Sequence, residues 1–185
     1  MKKVFMVHGL SGWPNGGWRV WLMGELEKKE IYACALSMPN TDNPILKDWI
    51  EEISRTVEIN KKDEIYLIGH SLGTTTILRF LESSATKIAG AVLVSGPIEL
   101  VENKAVSSFL DKPFNFKRIK SNAKRFLVIH GDNDSRVPFS QAETLSKELG
   151  CELVVVKNGG HLTGSEGWDS LPQVFAGLND MLVAS

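Results

Sequence analysis

Residues 65–73 read Ile-Tyr-Leu-Ile-Gly-His-Ser-Leu-Gly, an apolar run that ends in the pattern Gly-x-Ser-x-Gly. Residues 74–81 follow with apolar side chains at helical spacing, so the pattern lies between a strand and a helix. That combination is typical of a nucleophile elbow, in which a serine occupies a tight strand-to-helix turn. Gly69 and Gly73 leave room where a Cβ atom would meet neighbouring backbone. The N-terminal end of the helix directs N–H groups and its positive dipole toward an anion forming beside Ser71.

The length and charge of the chain set its broad class. With 185 residues we expect a single domain, residues 1–185, that buries about 70% of the surface of the unfolded chain. The net charge of −1 offers no attraction to nucleic acid or to an anionic membrane, so we expect neither as a partner. Basic residues cluster only between residues 117 and 125, and a solvated face is the favoured interpretation of them.

Three features of the sequence predict a cytoplasmic protein. Cys34 and Cys151 lie in separate apolar runs without metal-ligand spacing, which favours buried, reduced thiols. The apolar run after Lys3 ends at His8 and Gly9, which is too early for a signal peptide. No stretch approaches the roughly 20 apolar residues that a membrane span needs.

Apolar runs that alternate with helical stretches predict the fold. The runs are nearly continuous, which is typical of parallel strands covered on both faces. They are Lys3–His8, Tyr32–Ser37, Glu64–His70, Ala89–Ser95, Arg125–His130 and Glu152–Lys157. Strand and helix alternate throughout, so the sequence predicts a compact α/β fold with a roughly six-stranded, doubly wound parallel sheet and no cap domain.

Apolar side chains at helical spacing mark four further helices, near residues 18–26, 45–57, 140–149 and 171–182. Asp42 and Asn43 are predicted to cap the second of these helices. Ser140 and Glu143 have the spacing of a capping box, and Gly150 follows as a stop signal.

Residues 97–124 lie between the fourth and fifth predicted strands and are mostly polar, with scattered apolar side chains. Two interpretations remain open for this segment. It packs as an irregular surface helix, or it overhangs the site as a small lid. It is too short to form a separate cap domain.

The polar loops that follow the strands carry the candidate chemistry. In an open α/β sheet, functional groups gather at the carboxyl edge of the strands. A serine nucleophile needs a base to accept its proton and a carboxylate to orient that base. This chain offers a serine, an aspartate and a histidine in the order that the elbow pattern uses.

His161 is the predicted base, because it follows the last strand in a glycine-bracketed loop that can cross the sheet edge. His70 adjoins the serine and is expected to point away into a buried structural position. His8 and His130 end their strands and are expected to bond to neighbouring loops.

The predicted carboxylate is Asp134. Asp132 is the competing candidate, but an aspartate beside a glycine most often caps its own turn. Glu99, after the fourth strand, is a more remote candidate.

Acyl transfer also needs N–H donors for an oxyanion. The backbone N–H of Leu72 is one predicted donor, and that of Leu10 is the second, because Gly9 lets this loop approach closely. Ser11 and Gly12 remain alternatives for the second donor. Trp13 and Trp18 either line the substrate pocket or pack on the helix behind it.

Together these motifs resemble the α/β-hydrolase superfamily. They are His8-Gly9, the elbow at residues 69–73, residues 130–138 and Gly160-His161. The Gly-His-Ser-Leu-Gly elbow and the small size resemble the compact serine hydrolases of the retinoblastoma-binding protein nine type. The resemblance covers essentially the whole chain and implies a catalytic triad of Ser71, Asp134 and His161. The loop 10–18 departs from the Gly-Gly run of some esterases, which leaves the second oxyanion donor unsettled.

The sequence therefore predicts a serine hydrolase that acts on small carboxylic esters or amides. A non-catalytic binding module on the same scaffold is the alternative. We expect no cofactor and no metal, because the chain has no His-Glu-x-x-His, Gly-x-Gly-x-x-Gly or Walker pattern. The acyl preference, the oligomeric state and any protein partner are not encoded in these patterns.

Overall fold

Parallel strands form the central sheet of the structure, a computed structural model that describes residues 1–183. In that part of the chain the sheet has six strands. They are β1 (Lys2–Val7), β2 (Tyr32–Ala35), β3 (Glu64–His70), β4 (Gly90–Val94), β5 (Phe126–Gly131) and β6 (Glu152–Val156). Their order is β2-β1-β3-β4-β5-β6, and every neighbouring pair is parallel. The predicted six-stranded parallel sheet is confirmed, with small shifts at most of the strand ends.

The helices cover both faces of this sheet. They are α1 (Arg19–Glu27), α2 (Leu46–Ile59), α3 (Leu72–Ser83), α4 (Ser107–Leu110), α5 (Phe116–Asn122), α6 (Phe139–Leu149) and α7 (Pro172–Val183). Short 3-10 turns occur at Lys104–Val106 and Gly164–Glu166.

Two apolar cores lie on opposite faces of the sheet. Successive strand side chains point to opposite faces, so Leu67 and Ile68 of β3 enter different cores. One core packs against α2 to α6 and contains the buried Trp49 of α2. The other packs against α1 and α7 and contains Trp18, which is 1% exposed. Burial on both faces explains why the strands read as continuous apolar runs.

Two predicted helix caps are wrong. Helix α6 begins at Phe139 directly after Pro138, whose φ of −53° already sets the entry of the chain. Ser140 therefore lies inside the first turn, and no side-chain cap bond forms at this end. Helix α2 begins after Ile45, again without a side-chain cap bond, so the predicted capping by residues 42–43 does not occur. The predicted stop at Gly150 is confirmed, with φ of 68°.

The segment 97–124 folds into short helices that pack on α3. Phe109 and Leu110 of α4 and Ile119 of α5 are buried there. Arg79 of α3 holds the segment, because its guanidinium donates to the carbonyls of Phe109 (2.9 Å), Lys112 and Pro113 (3.4 Å). The segment is therefore held against α3 on one face of the sheet. Its first residues reach the edge of the candidate site.

Candidate active site

Ser71 lies on a strained turn between β3 and α3. Its φ of 54° and ψ of −122° are rare for a residue with a side chain and cost about 1–3 kcal/mol. A Cβ atom on Gly69 would lie 2.5 Å from the Cα and N atoms of Thr74, and one on Gly73 would overlap the carbonyl oxygens of Val7 and His8. Gly69 therefore allows β3 to lie close to the start of α3, and Gly73 allows the turn to fit against the end of β1, as the elbow pattern predicts.

The structure brings three of the predicted side chains together at the carboxyl edge of the sheet. The Nε2 atom of His161 lies 2.9 Å from the Oγ atom of Ser71, and its Nδ1 atom lies 2.7 Å from Oδ2 of Asp134. His161 is 2% exposed, so this line of contacts is mostly shielded from water. The serine comes from the turn after β3, the aspartate from the loop after β5 and the histidine from the loop after β6.

Asp134 is held as a carboxylate by its surroundings. Its Oδ1 atom accepts hydrogen bonds from the backbone N–H groups of Arg136 (2.8 Å) and Val137 (3.0 Å). Burial alone would raise the pKa of this carboxyl, but the hydrogen bond and charge of His161, with these two N–H groups, hold the pKa below its ordinary value. An ionised Asp134 can orient the imidazole and stabilise a positive charge on it.

The other three histidines make contacts to backbone carbonyls. His70 is buried, and its Nε2 atom lies 2.9 Å from the carbonyl oxygen of His161, so it supports the backbone that carries the candidate base. Burial lowers the pKa of His70 to about 3, so this ring is neutral and can donate that hydrogen bond. His130 contacts the carbonyl of Val137 at 3.0 Å, and His8 contacts that of Gly9 at 2.9 Å.

Two polar side chains ahead of Asp134 support the loop of His161. Asp132 accepts a hydrogen bond from the N–H of Asn158 at 2.7 Å, so the expectation that it caps its own turn is wrong. Asn133 accepts one from the N–H of Gly160 at 2.7 Å. These two contacts were not predicted from the sequence. The run of three short side chains with acceptor oxygens at residues 132–134 is a signal that could have indicated them.

The backbone N–H groups near Ser71 differ in whether they already donate a hydrogen bond to another protein group. The N–H of Ser11 donates to the carbonyl of Thr41 at 2.8 Å, and that of Gly12 donates to the carbonyl of Gly9 at 3.1 Å. Within residues 1–183 the N–H groups of Leu10 and Leu72 have no protein acceptor. Leu10 and Leu72 line the same cavity as Ser71, so two free donors are available near the serine.

Ser71 borders two neighbouring cavities. The first, of about 640 Å³, is bordered by the start of the segment 97–124, including Leu100, Val101 and Glu102. The second, of about 570 Å³, lies between the loop after β1 and the loop after His161. Trp13 lines the second cavity and is 62% exposed, whereas Trp18 lines its floor and packs in the core behind it.

The part of the chain that the structure describes contains no group of three or more His, Cys, Asp or Glu side chains arranged to hold a metal ion. None of its described helices combines the length and the apolar character that crossing a membrane requires.

Comparison with known proteins gives a consistent result. A model of the serine hydrolase family matches residues 4–180. The putative hydrolase YdeN of Bacillus subtilis (strain 168) is 33% identical over 177 residues, which cover 94% of this chain and 93% of that protein. The serine hydrolase RBBP9 of Rattus norvegicus is 23% identical over 169 residues, 89% of either chain.

Solved structures share the same fold. The crystal structure of the B. subtilis ydeN gene product superposes with a TM-score of 0.93 at 32% identity, covering 99% of this chain and all of that one. Est1E of Butyrivibrio proteoclasticus superposes with a TM-score of 0.74 at 18% identity, covering 99% and 87% of the two chains, and shows similarity of fold alone. From its elbow, its α/β-hydrolase fold and these relatives, the chain belongs to the serine hydrolase family and is an enzyme of that family.

Proposed function

We propose that this serine hydrolase cleaves small carboxylic esters or amides through an acyl-enzyme on Ser71, with His161 and Asp134 completing the triad. The observation that supports it most is the continuous line of contacts from serine to histidine to aspartate, 2.9 and 2.7 Å long. This geometry matches what a general base and its orienting carboxylate require.

In the first half of the reaction, Oγ of Ser71 attacks the carbonyl carbon and its proton passes to Nε2 of His161. The tetrahedral intermediate then expels the alcohol or amine, which takes that proton from His161. In the second half, water gives a proton to His161 and attacks the acyl carbon, and the acid product leaves as Ser71 recovers its proton. No metal ion or organic cofactor takes part in these steps.

The free N–H groups of Leu72 and Leu10 are the proposed oxyanion donors. Such a donor is worth about 3–4 kcal/mol when it is aimed at the developing negative charge. The hydrogen bonds already made by Ser11 and Gly12 support Leu10 over these two alternatives.

The test is labelling by a fluorophosphonate, which reacts with an activated serine. We expect one adduct, on Ser71, in the wild-type protein and in a Ser121→Ala control, whose exposed hydroxyl lies on α5. Ser71→Ala should lose the label, and hydrolysis of model esters should fall about 10⁶-fold with the fold unchanged. Peptide mapping locates the adduct, and circular dichroism checks the fold.

A folded wild-type protein that takes no label and cleaves no ester would contradict the proposal and favour a binding module on a hydrolase scaffold. Loss of activity in excess chelator would contradict the metal-independent mechanism.

A further inference from the structure

Arg19, the first residue of α1, is a buried cation beside the candidate site. It is 6% exposed and lines the second cavity next to Ser71. Its Nε donates to the carbonyl of Pro14 at 3.3 Å, and one terminal nitrogen donates to the carbonyl of Trp13 at 3.0 Å. These bonds use two of the five N–H groups that a guanidinium carries.

The charge of Arg19 has no ion-pair partner among the residues that the structure describes. Among residues 1–183, no aspartate or glutamate forms an ion pair with it. Burial lowers the pKa of Arg19 to about 10, so the side chain still carries its charge at neutral pH. A buried cation is normally paired with an anion. The free-energy cost of moving the charge out of water exceeds the stabilisation that hydrogen bonds to neutral carbonyls provide.

The other charges around the two cavities have a defined distribution. Arg136 borders both cavities, is exposed, and has no ion-pair partner in the described residues. The exposed Asp169 lies at the second cavity, and the exposed Glu102 lies at the first. Apart from the candidate base His161, the second cavity therefore has a net charge of +1 and the first has a net charge of zero.

We propose that the second cavity binds a carboxylate on the substrate, so that the enzyme prefers esters with a free carboxylate on one side of the scissile bond. This inference rests on the proposed function of Ser71 and adds the substrate class. The remaining N–H groups of Arg19 bind the carboxylate, Arg136 approaches it from the mouth, and the neutral part of the substrate occupies the first cavity. A single negative charge balances the net charge of the second cavity, which favours a carboxylate over a phosphate dianion.

The test compares esters that differ only in charge. Monoethyl esters of succinate, glutarate and adipate are paired with the ethyl esters of the keto acids in which a methyl ketone replaces the free carboxylate. A second set places the charge on the alcohol side, with 4-acetoxybutanoate paired with 5-acetoxypentan-2-one. Values of kcat/KM are measured in a pH-stat. Binding of each ester is measured separately, as the extent to which it slows the labelling of Ser71 by a fluorophosphonate.

We expect at least one anionic ester to be favoured over its neutral partner by about 10-fold or more, because a hydrogen-bonded charge contributes more than a neutral contact. The preference should shrink as salt is raised. In Arg19→Met the ratio of the two kcat/KM values should fall to about 1, and in Asp169→Asn it should rise, because a repelling carboxylate is removed. Arg136→Gln should lower the ratio less than Arg19→Met.

A structural role for Arg19 predicts a different result. If the side chain only holds the Trp13 and Pro14 carbonyls, Arg19→Met lowers both rates together and leaves their ratio unchanged, which would overturn the inference. Equal rates, and equal protection from labelling, for every wild-type ester pair would also overturn it. That comparison uses only the wild-type protein, so it tests the inference even if Arg19→Met fails to fold. Normal labelling of Ser71 without a charge preference refutes this inference alone, whereas absent labelling refutes the proposed function as well.

Discussion

The Nδ1 atom of His161 lies 2.7 Å from Oδ2 of Asp134, and the same oxygen lies 3.3 Å from Nε2 of His130. The other carboxylate oxygen accepts two backbone N–H groups, so the side chain cannot turn without breaking several bonds. The carboxylate is therefore fixed in position, and its negative charge faces the imidazole that contacts Ser71.

Replacing Asp134 by asparagine tests that charge. The amide is similar in shape, but it cannot stabilise an imidazolium and can hold His161 in the wrong tautomer. We expect Asp134→Asn to lower kcat by about 10⁴-fold, as in other triads of this geometry. Steady-state kinetics on a model ester gives the value. Asp132→Asn is the matched control and should lose far less, because its amide oxygen can still accept the N–H of Asn158. Similar losses of kcat in both variants would contradict the prediction, because they would show that either substitution acts by disturbing the loops and not through the charge of Asp134.

The buried His70 makes stability depend on pH. The unfolded chain binds a proton at this residue below its ordinary pKa of 6.5, whereas the folded chain binds none until pH falls to about 3. Acid therefore favours unfolding throughout this window, by about 1.4 kcal/mol per pH unit. Between pH 7 and pH 5 the wild type should lose about 2 kcal/mol more of its free energy of unfolding than His70→Gln, which keeps an N–H donor.

Urea unfolding at pH 7, 6 and 5 measures this difference between the two proteins. His8 and His130 also have lowered pKa values, mainly through burial, and they contribute to both proteins equally. Parallel stability curves for the wild type and His70→Gln would contradict the prediction.

The close contact of Gly73 with β1 makes this position intolerant of a side chain. In Gly73→Ala the new Cβ would overlap the carbonyl oxygens of Val7 and His8, which are backbone atoms and cannot move aside singly. We expect a loss of about 3 kcal/mol in the free energy of unfolding. Gly24→Ala, within α1, is the control, because its new methyl group meets nothing within 4 Å. It should gain about 0.5–1 kcal/mol from helix propensity. Thermal and urea unfolding report both changes, and a Gly73→Ala protein as stable as Gly24→Ala would refute the predicted overlap.

Arg79 is expected to hold the segment 104–122 on α3. Its guanidinium donates to three backbone carbonyls and pairs with Glu82 at 2.8 Å. Arg79→Met leaves these acceptors without a donor, so we expect a loss of about 3 kcal/mol. Hydrogen exchange should also become faster in residues 104–122. The exposed pair of Arg55 with Glu52 is the matched control, and Arg55→Met should leave stability and exchange unchanged. Equal exchange in residues 104–122 for both variants would show that Arg79 does not anchor the segment.

Much of this architecture was predictable from local sequence. Strands buried on both faces must be apolar at nearly every position, so β1, β3 and β4 are visible as continuous runs. The contact of Ser71, Asp134 and His161 could be expected because each follows a parallel strand, and parallel strands end at a common edge. The helix caps could not be predicted as reliably, because Pro138 and Ile45 directly precede their helices and supply no side-chain cap bond.

By itself the sequence determined the sheet, the elbow and the loops from which the candidate triad is drawn, since these depend on apolar periodicity and on short motifs. Only the tertiary structure decided that the N–H of Ser11 is already bound to the carbonyl of Thr41, that His70 supports the backbone of His161, and that Arg19 is buried with no counter-ion among residues 1–183. Each of these facts depends on how distant segments meet. Burial and hydrogen-bond partnership are properties of the packed chain, and no single stretch of residues specifies them.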